Sequence, residues 1–424
     1  MRPTLTRWMF AASLTMPASL CQLPASEKLS DRDWKLLHAE IRRLEQQLET
    51  ASDKCTVMYA IARTWASAGQ YREAMDWLAR VVARNVGLDP SRDSSFAKLH
   101  NAPEFRNLVR KIRTATPPVL RSRAAFSIVE ADLLPEGIAY DPRGKQFYFG
   151  STWKHKIVRC TEAGVCQPFV AEGQDGIGKV LGLRVHPGSR TLWAAGNEAG
   201  NSALFHYDLQ SGKLIRKYVV SGGKTGHVFN DLAVTAQGDV FVTDTRANAV
   251  YWVSHKTDAL APFAPDMKIE FPNGIALSDD DKKIYVAGFG DGITVVDLDS
   301  RSAHPIGHPS DLCLATIDGL YFYRNSLVAI QSGVMAPRVV RYYLTQDRNG
   351  IERFEILERR NPLFDGITTG AIVGGDFYYM ANTQLDKVVD RKVTSKARLS
   401  PLTILKIALD SAVPARQKLN RALN

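Results

Sequence analysis

Four segments of this chain open alike, with an oxygen-bearing side chain beside a tight turn and then an apolar run. They are Leu-Pro-Glu-Gly-Ile-Ala at 134–139, Phe-Asn-Asp-Leu-Ala-Val at 229–234, Phe-Pro-Asn-Gly-Ile-Ala at 271–276 and Ile-Asp-Gly-Leu-Tyr-Phe at 317–322. The lead residues Glu136, Asn230, Asn273 and Asp318 are spaced by 94, 43 and 45 residues. A repeat of about 45 residues therefore leaves room for one silent copy at Leu181-Gly-Leu-Arg-Val and places a sixth, weak copy at Thr368-Thr-Gly-Ala-Ile-Val. Short strands recurring at this period are the signature of a β-propeller, in which the start of every innermost strand points at one central channel. Four residues far apart in sequence would then converge, all of them carrying oxygen.

The rest of each copy agrees. Gln237-Gly-Asp-Val-Phe-Val-Thr-Asp, Asp280-Asp-Lys-Lys-Ile-Tyr-Val-Ala and Gly374-Gly-Asp-Phe-Tyr-Tyr-Met-Ala each read as a turn followed by a strand rich in β-branched and aromatic residues. No helical run of about 10–12 residues interrupts 126–410, which argues against alternating strands and helices. Roughly 285 residues at this period make six blades. The strands near Ser127 and Thr403 are expected to share one blade and close the ring, because closure removes exposed sheet edges.

Upstream, residues 28–113 carry helical periodicity. Ser30 is placed to cap a helix with Asp33 in its first turn, and Trp34, Leu37, Ile41, Leu44 and Leu48 recur on one face. Met58, Ile61, Ala62, Trp65, Gly69, Tyr71, Ala74, Leu78 and Val81 then resemble one tetratricopeptide repeat, a helix pair in which Ala62 and Ala74 allow close approach and Gly69 makes the turn. A lone repeat cannot bury its own faces, so this module is expected to pack on flanking helices or on the propeller. Its role is a structural cap or, alternatively, a groove for a protein partner. The fold class is thus mainly β: a small all-α tetratricopeptide-like domain (28–113), a Pro-Pro linker (114–125), a six-bladed propeller (126–410) and a basic tail (411–424).

Composition excludes several classes. With 45% hydrophobic and 23% charged residues the chain reads as an ordinary globular protein. The net charge of +10 suggests nucleic acid, but most of the excess lies in the last 40 residues and no basic-aromatic nucleic-acid motif is present. Arg2 and Arg7 precede an uncharged, mostly apolar run from Trp8 to Leu20, with small residues following, so residues 1–25 read as an export signal. Cys21 raises a lipoprotein as the alternative. The expected location is periplasmic or secreted, with no transmembrane segment. In an oxidising compartment Cys160 and Cys166, facing each other across a predicted turn, favour a hairpin disulfide over two free thiols.

The blade motifs Pro-Glu-Gly-Ile-Ala, Asn-Asp-Leu-Ala-Val, Pro-Asn-Gly-Ile-Ala and Asp-Gly-Leu, in this order and spacing, resemble the senescence marker protein/gluconolactonase family of six-bladed propellers, and more distantly paraoxonases and strictosidine-synthase-like proteins. That resemblance implies that Glu136, Asn230, Asn273 and Asp318 bind one divalent cation in the channel. Two carboxylates and two amide carbonyls suit a hard ion, calcium first, with zinc or manganese as alternatives. It also implies a metal-dependent hydrolase of lactones or related esters acting on a small-molecule substrate, in which Asp318, or His227 by its own place in the loop over the channel, is expected to take the proton. His227 precedes Asn230 by three residues and belongs to the loop over the channel. One departure stands out: the gluconolactonase pattern has Arg two residues before that Asn, where this chain has Val228. Trp153, His155, Asn197, Thr369, Asn382 and Gln384 are further channel-side candidates, whereas His186 reads as a turn residue. The competing readings are a non-catalytic propeller that binds a small ligand or a protein partner, and a strictosidine-synthase-like condensing activity.

Overall fold

A computed structural model describes residues 23–51, 53–84, 86–198, 200–220, 226–290, 292–389, 392–393 and 398–410. The expected export signal and basic tail lie almost wholly outside these residues.

Four helices come first: α1 (Asp31–Thr50), α2 (Lys54–Ser67), α3 (Tyr71–Ala83) and α4 (Pro103–Ala115). The Ser30 side chain accepts from the backbone N–H of Asp33 at the start of α1, the local pairing its position calls for. Ala62 and Ala74 are fully buried where α2 and α3 pack, and Gly69 makes the connecting turn at φ 70°. The helix pair is where the sequence places it; the tetratricopeptide likeness remains a likeness of sequence.

Twenty-six strands follow. A first strand β1 (Arg123–Ile128) precedes blade one: β2 (Pro135–Asp141), β3 (Gln146–Ser151), β4 (Ile157–Thr161) and β5 (Cys166–Val170). Blade two is β6 (Lys179–His186), β7 (Thr191–Glu198), β8 (Asn201–Asp208) and β9 (Leu214–Val220); blade three is β10 (Phe229–Val234), β11 (Val240–Asp244), β12 (Ala249–Val253) and β13 (Leu260–Pro262). Blade four is β14 (Pro272–Leu277), β15 (Lys283–Gly288), β16 (Gly292–Asp297) and β17 (Ala303–Pro305); blade five is β18 (Ile317–Phe322), β19 (Ser326–Gln331), β20 (Arg338–Leu344) and β21 (Ile351–Arg359). Blade six holds β22 (Gly370–Val373) and β23 (Asp376–Met380). It is interrupted by a small hairpin of β24 (Val388–Val389) and β25 (Lys392–Val393), then finished by β26 (Leu402–Ala408). β1 pairs antiparallel with β26 as the outermost strand of blade six, so the two ends of the propeller close the ring as expected. Cys160 and Cys166 are register partners on β4 and β5 and are joined by a disulfide.

The six inner strands β2, β6, β10, β14, β18 and β22 surround the channel, and blade two is the silent copy. Small residues let them meet. A Cβ added to Gly137 would lie 1.9 Å from Leu181 O; one on Gly182 would lie 2.4 Å from Asn230 O, and one on Gly274 2.5 Å from Asp318 O. Each glycine follows the lead position of its blade and touches the backbone of the next blade.

The helices dock on the face where the inner strands begin. Leu314 N donates to Asp53 Oδ2 at 2.7 Å, Asp89 N to Val334 O at 2.7 Å and Ala336 N to Gly87 O at 2.9 Å. Cys313, Ala315 and Met335, from the loops of blade five, are buried in the core of the helices. The helical module therefore completes its core with propeller residues.

Gly182→Ala, which alters no oxygen-bearing side chain, is expected to destabilise the protein by about 1–3 kcal/mol, the usual cost of overpacking. Chemical denaturation monitored by fluorescence measures this; an unchanged midpoint would mean that neighbouring inner strands are not in contact there.

Candidate functional site

In blades one to five the pairing of the inner strand with its neighbour is irregular at the same place: between Pro135 and Gly137, Val180 and Leu183, Phe229 and Leu232, Pro272 and Ile275, and Ile317 and Leu320. Such bulges leave a residue out of the ladder and re-aim its side chain. The lead residues Glu136, Asn230, Asn273 and Asp318 sit in these bulges. In three blades the residue two before the lead is left-handed: Leu134 at φ 43°, Phe271 at φ 46° and Thr316 at φ 52°. That conformation is rare for bulky and β-branched side chains and concentrates at functional sites.

Hydrogen bonds tie the lead residues across blades. Asn273 Nδ2 donates to Asp318 Oδ1 at 2.9 Å, from blade four to blade five. Asn230 Nδ2 donates to Thr245 Oγ1 at 3.1 Å, and that hydroxyl donates to Pro272 O at 2.7 Å, next to Asn273. Thr369 Oγ1 donates to Glu136 O, joining blade six to blade one. Asn230, Asn273 and Asp318 are thus linked across blades three to five, while Glu136 is tied through its carbonyl to Thr369 of blade six, all at the end of the channel where the inner strands begin.

Residues 134–307 match the family model described as SMP-30/Gluconolactonase/LRE-like region. The resemblance read from the blade motifs is borne out. The match spans blades one to four and takes in Glu136, Asn230 and Asn273, and it ends before Asp318. Similar solved structures include a luciferin-regenerating enzyme, at 13% identity over 69% of this chain and 96% of that one with a TM-score of 0.49. They also include a gluconolactonase from Xanthomonas campestris (14%, 68% and 97%, TM-score 0.45). A third is regucalcin from Agrobacterium tumefaciens, described as a calcium-binding protein (17%, 68% and 94%, TM-score 0.47). No curated protein matches the chain.

The electrostatics of this channel are costly without a counter-ion. Burial and then the charge of Asp318 push the Glu136 carboxyl well above the ordinary range. Asp318 is likewise raised by burial, with the Asn273 hydrogen bond opposing and the charge of Asp231 adding. Asn273 Oδ1 is buried without a hydrogen-bond partner, an expensive state for an amide oxygen. Among the described residues no group of three or more His, Cys, Asp or Glu is arranged to hold a metal; the donor set at issue is two carboxylates and two amides. An unpartnered amide oxygen on the residue that bonds Asp318, with a second desolvated carboxylate, Glu136, in range of the Asp318 charge, makes a set of hard oxygen donors that fits a divalent cation of the calcium type.

One layer further in, Asp231 takes the place that glycine holds in the other blades. It forms an ion pair with Arg184 at 3.1 Å, and the Arg184 guanidinium lies 5.1 Å from the centre of the Tyr321 ring, reaching from blade two to blade five. Tyr321 Oη accepts from Gly370 N at 2.7 Å. This cluster braces the channel below the lead residues.

Above them opens a cavity of about 870 Å³ lined by Glu136, Trp153, His155, Lys179, Asn197 and His227, among others. None of its lining residues comes from the helices. His227 is buried, and its Nδ1 lies 2.6 Å from Asp244 Oδ2. The other oxygen, Asp244 Oδ1, accepts from the N–H groups of Val228 and Ala247, both at 3.0 Å. The aspartate is thus fixed by backbone donors and orients the imidazole, leaving Nε2 for the cavity. Asp244 was not evident in the sequence, because its partnership depends on the register that sets it opposite Phe229. Lys179 and Arg246 were missed for the same kind of reason. Of the other candidates, Asn197 lines the cavity and also pins blade three, donating to Phe229 O and accepting from Phe229 N, both at 2.8 Å. Asn382 and Gln384 instead hold the Ser400–Thr403 segment through Ser400, Pro401 and Thr403. His186 bonds Ser189 and Ala236 O away from the mouth, as a turn residue.

A stability measurement tests the charge balance. With raised folded-state pKa values, Glu136 and Asp318 hold protons that the unfolded chain releases, so metal-free stability must fall as pH rises through the window above the ordinary carboxylate range. Chelator-treated protein is expected to melt lower at about pH 8 than at about pH 5. Asp318→Asn, which keeps an oxygen to accept from Asn273, is expected to shrink that difference. A variant with the same pH slope as wild type would show that Asp318 does not contribute.

Proposed function

We propose that the protein is a divalent-metal-dependent hydrolase of lactones or related esters. The observation that carries this reading is the position of His227, oriented by the buried Asp244, in the wall of the same cavity as Glu136. Glu136, Asn230, Asn273 and Asp318 would hold the cation, most naturally calcium. A bound divalent cation supplies Lewis acidity, polarising a carbonyl oxygen or acidifying a water.

The protein's own groups do the remainder. Asp244 holds His227 in the tautomer with its proton on Nδ1, so Nε2 is the base. Nε2 takes a proton from water as the oxygen attacks the carbonyl carbon, and returns it to the ring oxygen when the acyl C–O bond breaks, giving the open hydroxy acid. Asp318 is the alternative proton acceptor, and its raised pKa in the metal-free state suits it less well once a cation restores its charged form. Trp153 and Asn197 form walls of the cavity, whose volume lies within the range of small-molecule sites. Val228 stands where gluconolactonases have Arg, so the preferred substrate is expected to differ from a plain sugar lactone. The Cys160–Cys166 disulfide supports an exported protein, since such bridges persist in oxidising compartments.

The test is a panel of lactones and esters assayed with calcium, zinc, manganese or chelator. Turnover is expected to vanish with chelator and in Asp318→Ala. His227→Ala is expected to lose about 10²–10⁴-fold in kcat while keeping the cation-induced rise in melting temperature, and Asp244→Asn to lose activity in the same direction with a displaced pH profile. Cation binding without turnover across the panel would identify a ligand-binding propeller instead.

A further inference from the structure

Basic side chains around the channel are, as a rule, matched to acids. Lys154 pairs with Glu130 and Asp132, both at 2.8 Å, Lys156 with Glu130 at 2.7 Å, and Arg184 with Asp231 at 3.1 Å. Two cations in the wall of the mouth cavity break this pattern. Lys179 begins β6, and Arg246 sits in the turn between β11 and β12, two residues beyond Asp244. Both are exposed, and among the described residues neither makes a hydrogen bond or ion pair with an acid. Of the carboxylates that line the same cavity, Glu136 feels the Lys179 charge, which opposes the rise in its pKa, but neither Glu136 nor Glu198 forms a salt bridge with Lys179 or Arg246. The Arg246 guanidinium lies near Gly226, where an added Cβ would be 3.7 Å from Nη1.

The two cations come from adjacent blades and share the cavity wall with His227 and Val228. Blade two offers no oxygen at its lead position, where Leu181 stands; it lines the mouth with the Lys179 ammonium beside Asn197 and Glu198. A cavity of about 870 Å³ has room for more than a bare lactone ring. We propose that Lys179 and Arg246 form an anion-recognition subsite, so that the substrate carries a carboxylate or phosphate group away from the reacting carbonyl. The subsite rests on the hydrolase reading for the word substrate, but its chemistry stands by itself: a guanidinium offers a two-pronged donor set and an ammonium a compact charge, a pairing suited to an oxyanion. Because both groups are exposed, the attraction is expected to weaken with salt.

The experiment compares kcat/KM for gluconolactone, phosphorylated gluconolactone and glucaric acid lactone in wild type, Lys179→Glu, Arg246→Glu and the double variant, each first checked for an unchanged melting temperature. The wild type is expected to favour a charged lactone by about tenfold or more, with the phosphate and carboxylate arms showing which group is read. The double variant is expected to erase or invert the preference, and added salt to reduce it in the wild type alone. Equal kcat/KM for neutral and charged lactones in the wild type would overturn the subsite while leaving the hydrolase reading intact. Should no lactone turn over, calorimetry with phosphogluconate and the neutral glucitol decides: phosphogluconate binding in the wild type that is lost in the double variant upholds the subsite against a failed hydrolase reading, and phosphogluconate binding that is absent, no tighter than that of glucitol, or unchanged in the double variant overturns it.

Discussion

Neighbouring inner strands approach so closely that only a glycine fits after the lead position in blades one, two, four and five. The added-Cβ distances at Gly137, Gly182 and Gly274 are far below any real contact, and at Gly319 the nearest atoms are still only 2.8–3.0 Å away. The channel is therefore narrow where Glu136, Asn230, Asn273 and Asp318 stand, and the narrowness lets blades three to five link side chains there and brings Glu136 within reach of the Asp318 charge. Blade three is the exception. Its Asp231 fits only because its charge is taken up by Arg184, and the resulting brace with Tyr321 gives the channel a polar floor.

A ring that tight brings like charges together. Glu136, Asp318 and Asp231 are all raised by burial, and Asn273 Oδ1 is left without a donor. These are states that a folded protein normally avoids. Bulges and left-handed residues at Leu134, Phe271 and Thr316 add backbone strain at the same level. Strain and desolvation gathered at one point fit a site built to hold something, and the hard cation we propose would relieve both the charge and the orphaned oxygen.

The helices share this end of the molecule but not the cavity. They complete their core with Cys313, Ala315 and Met335 from blade five, and Arg338 is buried at the junction, donating to Gln331, Val86 O and Cys313 O. The mouth cavity lies over blades one to three and six, with Leu385 as its contribution from blade six. The docked module can thus stiffen one side of the propeller without lining that cavity.

Spacing alone carried the architecture: glycine and asparagine turns every 45 residues or so announce blades, and Leu181 and Thr369 could be placed as the weak copies because the repeat is a local pattern. The helix start at Ser30, the Ala62–Ala74 packing and the facing cysteines are local or periodic features as well, so the linear chain displays them. Asp244, Lys179, Arg246 and the Asp231–Arg184 pair are different. Each acquires its meaning from a neighbour tens of residues away in another strand or blade, through a register and a bulge that no single segment encodes. The four lead residues and their convergence were thus legible in the sequence; which acid orients His227, and which cations are left without a salt bridge, were decided only when the ring closed, because hydrogen-bond register and charge pairing are properties of contacts across blades.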